Sequence, residues 1–147
     1  MEKLISLLNR SKFDYELIKH ENTIHSAQEG ANYFGIEIGQ TAPTLILSTD
    51  KGFIALIVSG NKGRINFNEL GEKLGLNIKG LAKKSEVEEV TGFSIGTVPL
   101  VGYNLPTIID SDLFQYTYVY GGIGNNNCTL KINPKALKEL NDVIAQI

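Results

Sequence analysis

The sequence has a single cysteine, Cys128, and only two histidines, His20 and His25. One thiol excludes an internal disulfide framework and a cysteine-based zinc cluster, and two imidazoles add too few ligands for a dedicated metal site. No apolar run is long enough to span a bilayer. The N-terminal stretch MEKLISLLNRSKFDYE lacks the apolar core and small-residue cleavage site of an export signal, so the expectation is a cytoplasmic protein without a membrane partner. There is no repeat, low-complexity stretch or linker. The two glycine-rich turns, Gly60-Asn61-Lys62-Gly63 and Gly121–Gly124, lack the Gly-Lys-Ser/Thr element that grips a nucleotide's phosphates and magnesium, and no cofactor is expected. His20, Ser26 and Asp110 supply the residue types of a nucleophilic triad, but no nucleophile-elbow sequence accompanies them.

What is present describes one domain. A chain of 147 residues buries roughly 68–70% of the surface that its unfolded form exposes, enough for a real core. The net charge of −2 argues against a protein that coats nucleic acid non-specifically, and DNA is not an expected partner. The charge is unevenly placed, however. Gly60 to Lys84 carries six cations (Lys62, Arg64, Lys73, Lys79, Lys83, Lys84) against two acids, whereas the chain from Ser85 onward has three lysines against seven acids. That segment either makes a local phosphate-facing patch or is a solvated helix face.

Local patterns predict an α/β domain with a mixed, mostly antiparallel sheet and several short helices. Leu4, Ile5, Leu7 and Leu8 have helical spacing over residues 3 to 10, and Tyr15 to His20 reads as a strand. Ser26 with Glu29 forms a capping pattern before a helix over 27–34 that Gly35 terminates. Thr44 to Thr49 and Phe53 to Ser59 read as a hairpin through Asp50-Lys51-Gly52. A helix over 68–74 ends at Gly75, with Asn66 as an alternative cap, and Ile78 to Ala82 is a short strand. Ser85 with Glu88 repeats the capping signature before a helix ending at Gly92. Thr107 to Ile109, Tyr116 to Tyr120 and Thr129 to Ile132 read as strands, with Tyr116, Tyr118 and Tyr120 alternating onto one face. Asn133 caps a terminal helix starting at Pro134, whose buried stripe is Leu137, Leu140, Val143 and Ile144.

The run from Thr91 to Asp110 packs Gly92, Gly96, Gly102, Pro99 and Pro106 between a helix and a strand. Glycine loosens the backbone and proline removes a donor, so the run cannot continue the helix and forms a shaped loop. Phe93, Ile95, Val98, Leu100 and Val101 argue against disorder. The loop is either a packed crossover or a functional surface. Asp110 and Asp112 have acid–base chemistry available, although aspartates after a strand commonly bond their own backbone.

In order along the chain, His20 and the Ser26-Ala27 helix, the Thr44-Leu45 strand, and the Gly60-Asn61 turn with Arg64 and Leu70 form the first half of a recognisable set. The Thr91-Gly92 pair, the Gly96–Gly102 loop, Leu105–Asp110 and the glycine turn after Val119-Tyr120 complete it. Together they resemble the YbaK-like aminoacyl-tRNA deacylases, the fold that also occurs as the editing domain of bacterial prolyl-tRNA synthetases. The resemblance covers nearly the whole chain, 1–147. It implies hydrolysis of the ester joining an incorrect small amino acid to the terminal adenosine of a tRNA, most naturally tRNA(Pro). Its implied partners are the mischarged acceptor end and an aminoacyl-tRNA synthetase. Editing answers a chemical need, because a synthetase pocket separates side chains by only about 10–200-fold per methylene.

The resemblance also assigns residues. The loop backbone at Gly96, Thr97, Val98, Pro99 and Gly102 would face the ester and ribose, with the substrate's own ribose hydroxyl helping to activate water. One oriented donor at a developing oxyanion is worth roughly 2.7–4 kcal/mol, so a backbone site suits this reaction. Substrate contacts would fall on Pro43, Thr44, Gly60, Asn61, Lys62, Arg64, Asp110, Gly121, Gly122 and Gly124. Two departures stand out. Active members usually carry a lysine immediately before Thr-Leu, where this chain has Pro43, which supplies neither charge nor backbone donor. Lys62 and Arg64 are candidates to replace it. The family's Gly-x-x-x-Pro reads Gly96-Thr97-Val98-Pro99-Leu100, with proline one step early. The enzyme reading therefore stands beside a catalytically silent tRNA-end or nucleotide binding module, and beside a protein-interaction surface built on the tyrosines.

Overall fold

The structure, a computed structural model, describes residues 1–147. Its elements in chain order are α1 (Glu2–Asn9), β1 (Tyr15–Lys19), α2 (Ala27–Phe34), a 3-10 turn (Ile38–Gln40), β2 (Thr44–Thr49), β3 (Gly52–Ile57), α3 (Phe67–Leu74) and β4 (Ile78–Leu81). There follow α4 (Lys84–Thr91), β5 (Thr107–Ile109), a second 3-10 turn (Ser111–Gln115), β6 (Val119–Gly121), β7 (Cys128–Ile132), α5 (Pro134–Leu140) and β8 (Val143–Gln146). Helix boundaries follow local chemistry. The Ser26 hydroxyl accepts the Glu29 N–H at the start of α2, and Gly35 closes that helix in the left-handed region at φ 66°. Asn66 and Asn133 cap α3 and α5 in the same way.

The strands form two sheets. The larger has the order β4-β2-β3-β5-β8, and the smaller β1-β7-β6. Four of the pairings are antiparallel; β3–β5 and β5–β8 are parallel, so the sheet is mixed and mostly antiparallel as expected. The β2–β3 hairpin forms with Thr49 opposite Gly52. Strand alternation divides its apolar residues between two faces. Leu47, Leu56 and Ile108 pack with Leu70 of α3 on one side. On the other, Ile57 and Ile109 meet Leu130 and Ile132 of the small sheet, Leu4 and Leu8 of α1, and Ala136 and Leu137 of α5. Ile46 and Ala55 meet Val87 of α4 and Val98 of the long loop. Besides this side-chain packing, the Ala42 N–H just ahead of β2 donates to the Tyr120 carbonyl of β6 at 2.7 Å.

Three expectations are corrected. Val143 and Ile144 do not extend the terminal helix but belong to β8, which pairs in parallel with β5. The Asn141 side chain ends α5 by donating to the carbonyls of Leu137 and Leu100, and the free edge of β5 then captures the chain. The strand expected over Tyr116 to Tyr120 begins only at Val119, because Asp110 caps a 3-10 turn that runs to Gln115. Helix α4 starts earlier than Ser85, since the Glu86 carboxylate accepts the Lys83 N–H at 2.9 Å.

A half-buried ion pair, Lys62 with Asp110, ties the turn after β3 to the end of β5. Asp110 is 0% exposed; its carboxylate accepts the N–H groups of Ser59 and Asp112 and the Lys62 ammonium, each at 3.0 Å. Lys62 also reaches Asp112 at 3.1 Å. Burial pulls the Lys62 pKa down, but the hydrogen bonds and charges of Asp110 and Asp112 outweigh it and leave the pKa raised above 10.5. A raised lysine contributes stability that is fully present below its unfolded pKa and is lost as pH rises through the folded one. Lys62→Met therefore lowers the unfolding free energy by about 1–3 kcal/mol, chiefly by leaving a buried carboxylate short of one donor. Urea titrations should give a wild-type-to-variant difference that is flat between about pH 6 and 9. A difference that vanished at pH 8 would contradict this account.

Candidate active site

Three segments distant in sequence converge on one cleft of about 230 Å³: Thr41-Ala42-Pro43, Gly96-Thr97, and Tyr120-Gly121-Gly122 with Asn125 and Asn126. Helix α2 forms a wall through Ala27, Gly30 and Phe34, spaced to share one helix face. Thr23, Ile24, His20, His25, Ser26, Cys128 and Thr129 complete the lining. The base of the cleft is knitted by backbone. Beside the Ala42–Tyr120 bond, the Leu100 N–H donates to the Gly122 carbonyl at 3.1 Å, and the Gly124 N–H donates to the Thr97 carbonyl at 2.8 Å.

Glycine is required where these segments meet. A Cβ on Gly121 would stand 2.7 Å from the Ala42 carbonyl oxygen and from the Leu100 side chain, and one on Gly122 would overlap the Val98 carbonyl oxygen. Gly96 differs: a Cβ there meets nothing within 4 Å, but its φ of 86° belongs to the left-handed region. The N–H groups of Gly96 and Gly122 donate to no protein acceptor. The Thr44 hydroxyl, one residue beyond Pro43, is buried and also has no partner.

The ionisable groups of the cleft are restrained. His20 is 7% exposed, with Nδ1 2.7 Å from the Asn22 carbonyl and Nε2 2.9 Å from Thr129 Oγ1. A carbonyl only accepts, so Nδ1 carries the proton of the neutral ring and the Thr129 hydroxyl donates to Nε2. Both ring nitrogens are occupied in holding the wall. Burial pushes the Cys128 thiol up, partly offset by the Lys19 charge and a backbone hydrogen bond at Thr129, so it stays protonated and a poor nucleophile at neutral pH. His25 lies exposed on the rim with neither ring nitrogen bonded to protein.

The residues singled out from sequence divide into two groups. Gly96, Thr97, Pro43, Gly121 and Gly122 come together in the cleft. Val98 and Pro99 are buried beneath it, Thr44 lies behind Pro43, and Gly124 packs on the Phe93 ring while holding Thr97. Gly102 lies elsewhere, against Leu4 of α1. Gly60 sits tightly on Thr41 and the Ile38 carbonyl, and Asn61 accepts from the Ser59 hydroxyl, so both shape the turn behind the cleft. Lys62 and Asp110 pair with each other, and Arg64 is exposed outside the cleft. No lysine or arginine lines it. Sequence reasoning passed over Thr41, Phe34, Tyr120, Asn125, Asn126 and Thr129. The asparagines sat in plain view in the glycine turn, and the α2 spacing of Ala27, Gly30 and Phe34 pointed to a shared face.

Fold and cleft together define an α/β domain whose recess is walled by backbone, apolar side chains and polar side chains without lysine, arginine or carboxylate. A family model described as the aminoacyl-tRNA editing domain matches residues 21–140. The chain belongs to the YbaK-like aminoacyl-tRNA editing domain family. It is 31% identical over 112 residues to the proline–tRNA ligase of Desulforamulus reducens and 28% identical over 116 residues to that of Thermosipho melanesiensis. These alignments cover 75% and 78% of this chain but 20% of each ligase, so the chain spans about a fifth of the length of the curated relatives it matches. A crystal structure of a proposed trans-editing enzyme for prolyl tRNA synthetase superposes with a TM-score of 0.84 and 29% identity, covering 98% of this chain and 90% of that one.

The two kinds of glycine in the cleft predict losses of different size. Gly122→Ala forces the turn off the Val98 carbonyl and lowers stability by about 2 kcal/mol or more, whereas Gly96→Ala meets only backbone strain of about 1 kcal/mol. Thermal unfolding of both variants checks the ranking. Equal losses would mean that the turn and the loop are not in register as described.

Proposed function

We propose that the chain is a single editing domain that hydrolyses, in trans, the ester of tRNA mischarged with a small amino acid, tRNA(Pro) foremost. The observation that carries this reading is the pair of unpartnered N–H groups at Gly96 and Gly122 on the two strips of backbone that form the cleft. Such donors suit an ester whose carbonyl oxygen gains charge during attack by water, and they need no reorganisation when that charge appears. With His20 bound on both nitrogens and Cys128 held as a thiol, the protein supplies position and electrostatics. The substrate's ribose hydroxyl supplies the group that orients water.

A second reading, a silent module that binds the tRNA end, is favoured by Pro43. It occupies the cleft edge where active relatives carry lysine, and no other cation lines the cleft. Deacylation of tRNA(Pro) charged with alanine, cysteine or proline separates the two. The enzyme reading expects one mischarged species to be hydrolysed well above a buffer control, with the prolyl ester spared. It also expects Gly96→Ala to lower that rate by about 10–100-fold while the protein stays folded, since a misplaced oxyanion donor costs roughly 2–3 kcal/mol. If hydrolysis is absent at high protein concentration and Pro43→Lys restores it, the silent-module reading is correct.

A further inference from the structure

The cleft's volume is below the ~300–1,000 Å³ typical of pockets that enclose a whole drug-sized ligand. It suits an aminoacyl ester and leaves the attached nucleobase outside. An aromatic ledge continues from the cleft toward solvent. Phe34 and Tyr120 both line the cleft, with ring centroids 5.1 Å apart. Tyr33, at the end of α2, stands edge-on to Phe34 at 4.9 Å and to His20 at 5.7 Å. Unlike its neighbours it is 55% exposed, more than packing against His20 and Phe34 requires. Lys131 completes the ledge, with its ammonium 4.8 Å from the centre of the Tyr118 ring and 5.9 Å from that of Tyr120. It shares a face of β7 with Thr129, the cleft residue that bonds His20. Glu16 stands opposite Lys131 in the strand pair but makes no ion pair with it. The Lys131 ammonium is therefore available to an anion.

We propose that the exposed Tyr33 ring, braced edge-on by Phe34, is a stacking platform for an unpaired terminal base of a single-stranded RNA 3′ end, with Lys131 meeting the adjoining phosphate. Aromatic faces stack any base, and one cation beside them suits a flexible single strand rather than a duplex. The ledge also supplies positive charge outside the cleft, whose own lining has none. The proposal rests on the hydrolytic or tRNA-end reading above, because it places the base next to the ester.

The test uses the full chain and an uncharged RNA hairpin ending in unpaired CCA, with 2-aminopurine replacing the terminal adenine. Wild-type protein should bind it with a saturable change in fluorescence. Tyr33→Ala should weaken binding about tenfold or more and remove that change, whereas Tyr33→Phe and Tyr33→Trp should stay within about threefold of wild type. Lys131→Ala should reduce the slope of log affinity against log salt by about 0.7. In deacylation, Tyr33→Ala should raise KM with kcat little changed. If the wild type hydrolyses mischarged tRNA while Tyr33→Ala has the same KM, affinity and fluorescence, the platform is overturned and the hydrolytic reading stands. If the wild type neither binds the hairpin nor hydrolyses any charged tRNA, both are overturned.

Discussion

The close approach of three backbone segments is the constraint on which the rest depends. Ala42 bonds Tyr120, Leu100 bonds Gly122, and Gly124 bonds Thr97, so the end of the first 3-10 turn, the long loop and the β6 turn become one surface. These contacts tie the small sheet to the large one. They are possible only because no side chain intervenes at Gly121 and Gly122, where a Cβ would strike carbonyl oxygens. A side-chain-built site would have held the segments several ångströms apart. Built from backbone, the cleft presents amide groups as its chemistry, and its shape cannot drift without breaking the bonds that join the sheets.

The charged residues behind the cleft serve that geometry. Asp110 has no exposure and three donors, two of them backbone N–H groups of segments that must meet: Ser59 at the exit of β3 and Asp112 at the start of the second 3-10 turn. Ser59 in turn donates to the Gly39 carbonyl, and the Gly60 N–H bonds the Thr41 carbonyl. Thus Asp110 acts on the cleft at one remove, through the Ser59-Gly60 turn that supports Thr41. Lys62 neutralises the buried carboxylate and is thereby unavailable to a substrate phosphate. This arrangement leaves the cleft lining without a carboxylate, lysine or arginine.

What could be read from the sequence was what short-range chemistry decides. Ser26 and Gly35 bracket α2 because a hydroxyl cap and a left-handed glycine act within a few residues. The β2–β3 hairpin was readable for the same reason. Val143 and Ile144 fit a helical stripe equally well as a short strand, and only the distant edge of β5 decides between them. Lys83 and Ser85 offer overlapping cap signatures, and the Glu86 carboxylate selects the first. In the site, Gly96, Thr97, Gly121 and Gly122 were recognisable through the family pattern. Phe34, Tyr120 and Thr129 were not, because an aromatic or a threonine on a half-buried element looks like core until the fold shows what it borders. Lys62 and Arg64, candidates because they adjoin a glycine turn, do not line the cleft: Arg64 is exposed outside it and Lys62 pairs with Asp110. Ion pairing with a residue nearly fifty positions away is invisible at that range.

The division of labour between cleft and rim bears on the missing lysine. A cation inside an editing cleft would serve two tasks at once, holding the ligand's phosphate and biasing the electrostatics near the ester. Under the proposed function the first task would fall outside the cleft, to Lys131 beside the aromatic rings, and the second to the amide dipoles at Gly96 and Gly122. Amide dipoles are weaker than a full charge but are fixed in direction, and in a small recess little water competes with them. Pro43 is compatible with this separation. Its ring rigidifies the entrance to β2, and its carbonyl still accepts the Val58 N–H at 3.2 Å, so the strand that positions Thr44 stays in register. A proline at this position therefore lacks a side-chain charge but keeps the strand geometry, so under the proposed function selectivity would rest on the size of the recess and the contacts at its rim.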